Sequence, residues 1–265
     1  ARVILEANVM GGSCARACPG EELCEGSCVE NLHEKRPIAI ARLQRHAIDH
    51  FMSHGRALPF GAGADNGRSV GVVGAGPAGL ACAAEARRLG FRVTVYEARD
   101  VLGGLNTTAI ADYKLTAATA LAEAELVKGL GAEFRMGCAI GRDVTWDALL
   151  KAHDAIFVGV GLGRTRRLGV PGEELKGVVD ALTFIEDLKM KPKREVWVGR
   201  RVCVVGAGNT AIDAVTQAKR LGAEVSFIAY RRGEVEKPCY DFEYELAKRD
   251  ACLFYWHLAP VRIEG

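Results

Sequence analysis

Apolar strands and amphipathic helices alternate along the chain from Ser69 onward. S69-VGVVG74 is a continuous apolar strand, the helix P77-AGLACAAEARRLG90 follows it and ends at a glycine, and R92-VTVYE97 is the next strand. A155-IFVGVG161 has the same apolar character. Strands that alternate with helices in this way are typical of a parallel, doubly wound sheet. The pattern therefore predicts an α/β fold.

The same strand–turn–helix pattern occurs a second time. R201-VCVVG206 predicts a strand, N209-TAIDAVTQAKRLG222 a helix, and E224-VSFIAY230 a further strand. Sixteen residues separate Gly74 from Gly90, and sixteen also separate Gly206 from Gly222. Two units of this kind predict two bound nucleotides. A last strand is expected within L253-FYWHLAPVRI263.

Residues 1 to about 60 differ from the rest, because they are rich in Cys, Pro and Arg. They open inside a predicted helix and contain a second helical run at I38-AIARLQRHAIDHF51. G61-AGADNG67 is expected to be a flexible linker. The expected domains are therefore a mostly α-helical segment at 1–62, a first nucleotide domain at 63–165 and a second at 166–265. Since the first residue is Ala1, we expect the sequence to begin in the middle of a longer protein.

Composition narrows the possible functions. The chain has 265 residues, is 49% hydrophobic and carries a net charge of +2, so it has no global charge for nucleic acid or anionic membranes. No apolar run approaches the roughly 20 residues of a spanning helix. Nine cysteines, an odd number, argue against a disulfide framework, and scattered ones such as Cys203 are expected to be small buried hydrophobes. No export signal is seen, and a cytoplasmic location is expected.

The first turn, G74-A-G-P-A-G79, matches a dinucleotide-binding fingerprint. Gly74 permits the tight turn, Gly76 lets the backbone approach a pyrophosphate, and Gly79 lets the helix pack against the strand. Glu97 follows 23 positions after Gly74, where its carboxylate can accept from both ribose hydroxyls. V101-LGGLN106 supplies two further glycines. The alternative is a helix-packing turn with an exposed Glu. The predicted site residues are Gly74, Gly76, Pro77, Ala78, Gly79, Leu80, Glu97, Gly103, Gly104 and Leu105.

The second turn, G206-A-G-N-T-A211, lacks the acidic residue. The position 23 after Gly206 is Ala229, and Arg231 and Arg232 follow it. Guanidinium groups bind a ribose 2′-phosphate that a carboxylate would repel, so this unit is predicted to bind NADPH. The alternative is a solvated strand end. Asn209 and Thr210 are expected to contact pyrophosphate or cap the helix, and Asp213 to stabilise its first turn. The predicted site residues are Gly206, Ala207, Gly208, Asn209, Thr210, Arg231 and Arg232.

Four cysteines lie close together in C14-ARACPGEELCEGSC28, with the spacing C-x3-C-x5-C-x3-C. Pro19 directly follows a cysteine, as in ferredoxin-type runs, which favours an iron–sulfur cluster. Four thiolates also suit tetrahedral zinc, although zinc pairs usually have two intervening residues. Buried inert cysteines are the third interpretation. The two predicted nucleotide sites favour the iron–sulfur interpretation. If one of the nucleotides is a flavin that accepts hydride, it needs a one-electron outlet, which an iron–sulfur cluster supplies.

Together these motifs resemble a known family. The cysteine run, P37-IAIARLQRHAID49, the first glycine turn, G103-GLNTTAIADYKL115, G169-VPGEEL175, the second glycine turn and Y230-RRGEVEKPCYDFEYELAKRD250 occur in the family's order. They resemble the NADPH-, FAD- and [4Fe–4S]-binding module shared by dihydropyrimidine dehydrogenase and the glutamate synthase small subunit. L43-Q-R-H46 and G103-G-L-N106 look closer to the bacterial dihydropyrimidine dehydrogenase flavin subunit.

The resemblance implies roles for particular residues. It makes 63–165 the FAD domain and 166–265 the NADPH domain, with Lys114 in contact with FAD and Ile140 near the adenine. Of the cluster ligands, it implies Cys18, Cys24 and Gln44 for one [4Fe–4S] cluster and Cys28 for another, whereas Cys14 is not a ligand. The other ligands belong to a C-x2-C-x4-C-x3-C-P run that this sequence lacks. E236-KPCY240 departs from the family pattern, which leaves the nicotinamide side open.

The resemblance also implies an activity and a partner. NADPH would reduce FAD, and single electrons would pass through [4Fe–4S] clusters to a partner barrel that carries FMN. In dihydropyrimidine dehydrogenase the final substrate is uracil or thymine, and this is the expectation here. The alternatives are a glutamate synthase small subunit or a related electron-transfer flavoprotein, and, from another class, a redox sensor or scaffold that binds nucleotides without turnover.

Overall fold

The computed structural model describes residues 1–33, 36–55, 57–163 and 165–265. The N-terminal segment is helical, as predicted, and Leu5, Ile48 and Phe51 are buried together in its core. The long run at residues 38–51 forms the last helix of this segment. Its helices are α1 (Arg2–Ala7), α2 (Gly11–Ala17), α3 (Glu30–His33) and α4 (Ile40–Ser53).

The first α/β fold contains a 4-stranded parallel sheet whose strands lie in the order β3 (Glu133–Arg135), β2 (Arg92–Tyr96), β1 (Ser69–Val73) and β4 (Ala155–Val158). Its core includes Val72, Leu80 and Val95, which are fully buried. The elements are β1 (Ser69–Val73), α5 (Pro77–Arg88), β2 (Arg92–Tyr96), α6 (Leu105–Thr108), α7 (Ala117–Lys128), β3 (Glu133–Arg135), α8 (Trp146–Ala152) and β4 (Ala155–Val158).

The second α/β fold contains a 3-stranded parallel sheet whose strands lie in the order β5 (Arg201–Val205), β6 (Val225–Tyr230) and β7 (Leu253–Trp256). Ile212, Val215 and Ile228 are fully buried in its core. The last strand is shorter than the sequence predicts, because the chain leaves the sheet before Pro260. The elements are α9 (Ala181–Met190), β5 (Arg201–Val205), α10 (Asn209–Arg220), β6 (Val225–Tyr230), α11 (Asp241–Arg249) and β7 (Leu253–Trp256).

The chain divides into two compact units. One contains residues 1–107 and 113–163, so the helical segment and the first α/β fold belong together, and the other contains 108–112 and 164–265. The predicted parallel α/β fold with two nucleotide-binding units is confirmed. The predicted separation of residues 1–62 from 63–165 stays a prediction.

The segment at residues 61–67 is not the loose linker that its composition predicts. Gly63 N donates to Arg87 O at 2.9 Å, and Asn66 N donates to Gly90 O at 3.0 Å. The backbone therefore runs along the carboxyl end of α5, where it donates to Arg87 O in the last turn and to Gly90 O just beyond the helix. Prediction from glycine content failed here because hydrogen bonds to a distant element cannot be seen in local composition.

No helix in the described parts of the chain is both long and apolar enough to cross a membrane.

Candidate dinucleotide and cysteine sites

The first glycine turn joins β1 to α5 through a backbone shape that only glycine adopts readily. Gly74 has a φ of 100°, and its N–H donates to Tyr96 O at 2.8 Å at the carboxyl end of β2. A Cβ placed on Gly79 would lie 1.8 Å from Gly74 O. The helix therefore packs against the turn at a distance that excludes any side chain at position 79.

A second glycine loop lies directly against this turn. Gly103 N donates to Ala75 O at 2.9 Å, and a Cβ on Gly104 would lie 2.8 Å from Gly76 Cα. Gly76 itself is open, since a Cβ there would meet no atom closer than 3.9 Å. It is also the N-cap of α5, and no side chain caps that helix. Backbone amides at an uncapped helix start suit a pyrophosphate, and the two glycine loops lie together at this start.

Glu97 completes the first site at the end of β2. Its side chain is 9% exposed, Oε2 accepts from Ala75 N at 2.8 Å and Oε1 accepts from Arg99 N at 2.9 Å. Each carboxylate oxygen can accept a second hydrogen bond, so both remain able to bind a ribose hydroxyl. The uncapped helix start, the paired glycine loops and this fixed carboxylate fit the adenosine diphosphate part of FAD.

The other residues predicted for the first site are less closely grouped. Pro77 and Ala78 occupy the first turn of α5, and Leu105 begins α6 with its side chain 48% exposed. The Leu80 side chain is fully buried in the core, and the Leu80 N–H donates to Gly76 O. Neither the side chain nor the amide is therefore available to a ligand.

Ile140 and Lys114 lie outside both glycine loops. Ile140 packs beside Val73 and Tyr96, next to the strand end that carries Glu97. Lys114 Nζ lies 5.7 Å from the Tyr113 ring centre. The structure therefore brings Ile140 to the nucleotide end of the first sheet and leaves the role of Lys114 a prediction.

The second glycine turn repeats the geometry of the first. Gly206 has a φ of 120°, and its N–H donates to Ala229 O at 3.0 Å. Gly208 is the N-cap of a 12-residue helix, as long as α5, and a Cβ there would meet nothing within 4 Å. Ala211 stands at the place of the third glycine, and a Cβ built on Gly206 would lie 3.9 Å from its Cβ.

Residues at the start of α10 differ partly from expectation. Asn209 does not cap the helix, because its Oδ1 accepts from Tyr240 N at 3.1 Å. Thr210 is exposed at the helix start, whereas Ala207 is buried. Asn209 thus holds the loop before α11, and Thr210 is left facing outward beside the turn.

The register of the second sheet corrects the residue taken as the counterpart of Glu97. Val73 pairs with Tyr96 in the first sheet, and Val205 pairs with Ala229 in the second. Ala229 is therefore equivalent to Tyr96, and the counterpart of Glu97 is Tyr230. One extra residue between Gly222 and β6 causes the offset. The conclusion that no acid occupies this place is unaffected.

Arg231 and Arg232 directly follow β6 at the same sheet end as the glycine turn. Both residues are exposed. Arg232 O accepts from His257 N at 3.1 Å, which ties this backbone to the chain beyond β7. Within the described ranges, neither guanidinium has an ion-pair partner, in contrast to Arg200, which binds Glu224 at 2.7 Å. Two cations without a counter-ion beside an uncapped helix start suit a phosphorylated ribose.

Asp213 is buried one turn into α10, where its charge acts on Lys189. Burial lowers the pKa of Lys189 to about 8, and the carboxylates of Asp112 and Asp213 oppose that shift. Lys189 Nζ donates to Ile110 O at 2.7 Å. The first turn of α10 contains no acidic residue, so Asp213 does not take the role predicted for it there.

The cysteines are only partly gathered. Cys14 and Cys18 lie with their Sγ atoms 3.4 Å apart, and burial together with Cys14 raises the pKa of Cys18 to about 11. Gln44 Nε2 donates to Gly11 O at 2.7 Å. Across the described residues, no group of three or more His, Cys, Asp or Glu side chains is arranged to hold a metal. The residues present therefore do not form a complete cluster or zinc site.

Comparison with known proteins identifies the family. The sequence profile of the pyridine nucleotide-disulphide oxidoreductases matches residues 68–249. The chain belongs to this family. Residues 1–56 of this pyridine nucleotide-disulphide oxidoreductase match a second profile, described as dihydropyrimidine dehydrogenase domain II, 4Fe-4S cluster. The predicted cofactor classes, FAD, NADPH and [4Fe–4S], are thereby confirmed.

Two curated relatives are similar along nearly the whole chain. The glutamate synthase [NADPH] small chain of Escherichia coli K12 is 35% identical over 98% of the chain, and the putative oxidoreductase AegA of the same organism is also 35% identical over 98%. The chain spans 57% and 40% of their lengths. The predicted resemblance to this group of proteins is confirmed, whereas a special closeness to dihydropyrimidine dehydrogenase is not shown.

Solved structures agree on the fold. FprA of Mycobacterium tuberculosis in complex with NADPH superposes with a TM-score of 0.61 at 19% identity, covering 75% of this chain and 61% of that one. Lactococcus lactis thioredoxin reductase gives 0.57 at 25% identity, covering 75% and 67%. Both likenesses support the nucleotide-binding α/β architecture of the family.

Proposed function

We propose that this chain is the electron-input module of an NADPH-dependent FAD and iron–sulfur oxidoreductase. The observation that carries the proposal is the difference between two otherwise matched turns. The first turn ends beside the fixed carboxylate of Glu97, and the second ends beside Arg231 and Arg232. The first is therefore assigned to FAD and the second to NADPH. FAD, when bound, supplies the chemistry that accepts hydride and releases single electrons.

The protein's own residues bind and orient the two nucleotides. At the first turn, amides at the start of α5 face the pyrophosphate and Glu97 holds the ribose. At the second, amides at the start of α10 face the NADPH pyrophosphate and the arginine pair holds the 2′-phosphate. The sequence shows no nucleophile or paired acids suited to other chemistry, in keeping with a protein that positions cofactors.

Replacement of both Arg231 and Arg232 by alanine tests the NADPH assignment. Charge-assisted hydrogen bonds contribute about 1.5–3 kcal/mol, so the KM for NADPH should rise at least about tenfold while the KM for NADH changes little. Arg200→Ala is the matched control, because this arginine is exposed and paired with Glu224 at the opposite end of the strands. Equal effects on NADPH and NADH would refute the assignment.

The iron–sulfur part of the proposal is supported by sequence. The proposed ligands that this chain contributes are Cys18, Cys24, Cys28 and Gln44, and the family match to residues 1–56 supports them. The side-chain arrangement does not, since the described residues gather no complete ligand set. Measured iron and sulfide in anaerobically purified protein, with and without Cys24→Ser, test this part separately from nucleotide binding.

The identity of the final electron acceptor is the most specific part of the proposed function. The sequence motifs point to reduction of uracil or thymine on an FMN-carrying barrel partner in the cytoplasm. The second candidate is glutamate synthesis, and the small chain named above favours it. NADPH oxidation that depends on uracil would support the first, and oxidation that depends on glutamine plus 2-oxoglutarate would support the second. If NADPH fails to bleach the bound flavin, both are wrong and a sensor or scaffold role is left.

A further inference from the structure

A single buried carboxylate joins the cysteine-bearing helix to the first α/β fold. Glu123 on α7 is 1% exposed. Its Oε1 accepts from Gly12 N at 2.6 Å, and its Oε2 accepts from Ser13 N at 2.9 Å and from the Ser13 hydroxyl. The partners are more than a hundred residues apart in sequence. No motif in the sequence marks this contact.

The contact replaces a helix cap that α2 lacks. The N-cap of α2 is Met10, which has no side-chain hydrogen bond to the first turn. Free amides at a helix start need partners when they are buried, and Glu123 supplies both from another helix. A Cβ on Gly12 would lie 2.9 Å from Glu123 Oε1 and 3.1 Å from Ile48 Cγ2. Glycine at position 12 therefore allows the carboxylate to approach this closely.

Neighbouring contacts fix the same helix from α4. Gln44 Nε2 donates to Gly11 O at 2.7 Å, and Arg16 pairs with Asp49. Burial raises the pKa of Glu123, but its hydrogen bonds to Gly12 and Ser13 and the charge of Arg16 oppose that shift. A desolvated carboxylate is costly unless it is hydrogen-bonded, and the three bonds from Gly12 and Ser13 meet that requirement.

We propose that Glu123 is the positioning residue that holds the cysteine-bearing helix α2 in a fixed place against α7 of the flavin-side fold. This inference rests on the proposed function, because a fixed distance from flavin to cluster matters only if electrons cross it. α2 carries Cys14 and ends one residue before Cys18, so any shift of its first turn moves both thiols. Glu123 does not touch a cofactor and acts through the helix that it holds.

Glu123→Gln tests the proposal, with Glu125→Gln as the matched control. Glutamine keeps the size but offers an NH₂ group to one of two N–H donors, so one of the two backbone bonds is lost. Glu125 lies on the exposed face of the same helix, and among the residues that the structure describes its carboxylate pairs only with Lys128, at 3.6 Å. Ser13→Ala is a milder second variant that removes the hydroxyl contact and keeps both backbone contacts.

Two readouts separate this inference from the proposed function. In hydrogen–deuterium exchange, the amides of residues 11–18 should exchange at least about tenfold faster in Glu123→Gln than in the wild type. The increase in exchange rate should be smaller in Ser13→Ala, and the rate should not change in Glu125→Gln. In stopped-flow spectroscopy of the holoprotein, flavin reduction by NADPH should be unchanged while the later reduction of the cluster slows.

Each result has one meaning. Unchanged exchange in residues 11–18 of Glu123→Gln would overturn the inference, as would faster exchange with normal cluster reduction. If Glu123→Gln does not fold, Ser13→Ala must show the same pattern in smaller measure, or the inference fails. Loss of flavin reduction in the wild-type protein would instead refute the proposed function.

Discussion

Alanine substitutions at Gly76 and Gly79 should separate nucleotide binding from folding at the first turn. The two glycines are three residues apart and receive the same added methyl group. At Gly76 the new Cβ would meet nothing closer than 3.9 Å, whereas at Gly79 it would lie 1.8 Å from Gly74 O and 3.0 Å from Gly74 C. Gly76 also has an ordinary backbone conformation, with a φ of −75° and a ψ of −179°.

These distances set the expected magnitudes. Gly76→Ala should change stability by no more than about 1 kcal/mol, since a compatible Gly→Ala change is neutral or slightly stabilising. Gly79→Ala forces backbone atoms apart, and overpacking of this kind costs about 1–3 kcal/mol or more. For a protein of this size that is a fall in Tm of about 2–12 °C. FAD affinity should fall in both variants, at Gly76 because the methyl occupies the space that the pyrophosphate needs.

Thermal unfolding with and without added FAD, together with the flavin content of the purified protein, measures both effects. Gly76→Ala should be stable and flavin-poor, and Gly79→Ala should be unstable as well as flavin-poor. If Gly76→Ala retains its full flavin, the pyrophosphate does not lie over Gly76. If Gly79→Ala melts like the wild type, the close contact between α5 and the turn does not exist in solution.

Three further changes probe other parts of the molecule. Glu97→Gln should weaken FAD binding about tenfold or more with little change in the KM for NADPH, by equilibrium dialysis and steady-state kinetics, because one ribose acceptor becomes a donor. Gly208→Ala should leave Tm unchanged, since nothing lies within 4 Å of the added Cβ. It should raise the KM for NADPH, because the methyl group occupies space at the proposed pyrophosphate site. A loss of bound flavin in this variant would contradict the assignment of the second turn to NADPH. Lys189 has a pKa lowered from 10.5 to about 8, so the folded state binds fewer protons than the unfolded chain between these values and stability should rise as pH rises through that window. Calorimetry at pH 7.5 and 10 should show this rise for the wild type, corrected for other titrating groups by comparison with Lys189→Met; an equal rise in that variant would refute the assignment.

Both glycine turns could be predicted from sequence because their rules are local. Gly74 and Gly206 adopt the positive φ that the fingerprint demands, and the helices behind them have the same length. The parallel sheets followed from the alternation of strands and helices. These features depend on a few consecutive residues, so a single sequence contains the information that specifies them.

Features that depend on distant contacts were missed or misplaced. Counting from the glycines gives Ala229 as the counterpart of Glu97, because an extra residue before β6 leaves no mark in the pattern, whereas strand pairing shows that Tyr230 holds that place. Cys203 was expected to be buried, yet β5 alternates between exposed and half-buried positions and Cys203 lies on the exposed face.

The sequence contains one signal that Glu123 is buried. Ala120, Ala124 and Val127 are buried at helical spacing on α7, and this stripe places Glu123 on the inner face and Glu125 outside. Sequence alone shows that such a carboxylate is buried but not which amides bind it, because those lie in a segment that is remote along the chain.

The one-residue offset in the second sheet has a practical meaning for coenzyme engineering. A designer who wished to convert the preference toward NADH would graft an acidic side chain at the strand terminus and remove the cations beyond it. Counting from the glycines directs that graft to Ala229, whose carbonyl accepts from Gly206 and which pairs with Val205 inside the sheet. The pairing of β5 with β6 directs it to Tyr230, so two redesigns that differ by one codon should diverge completely in outcome.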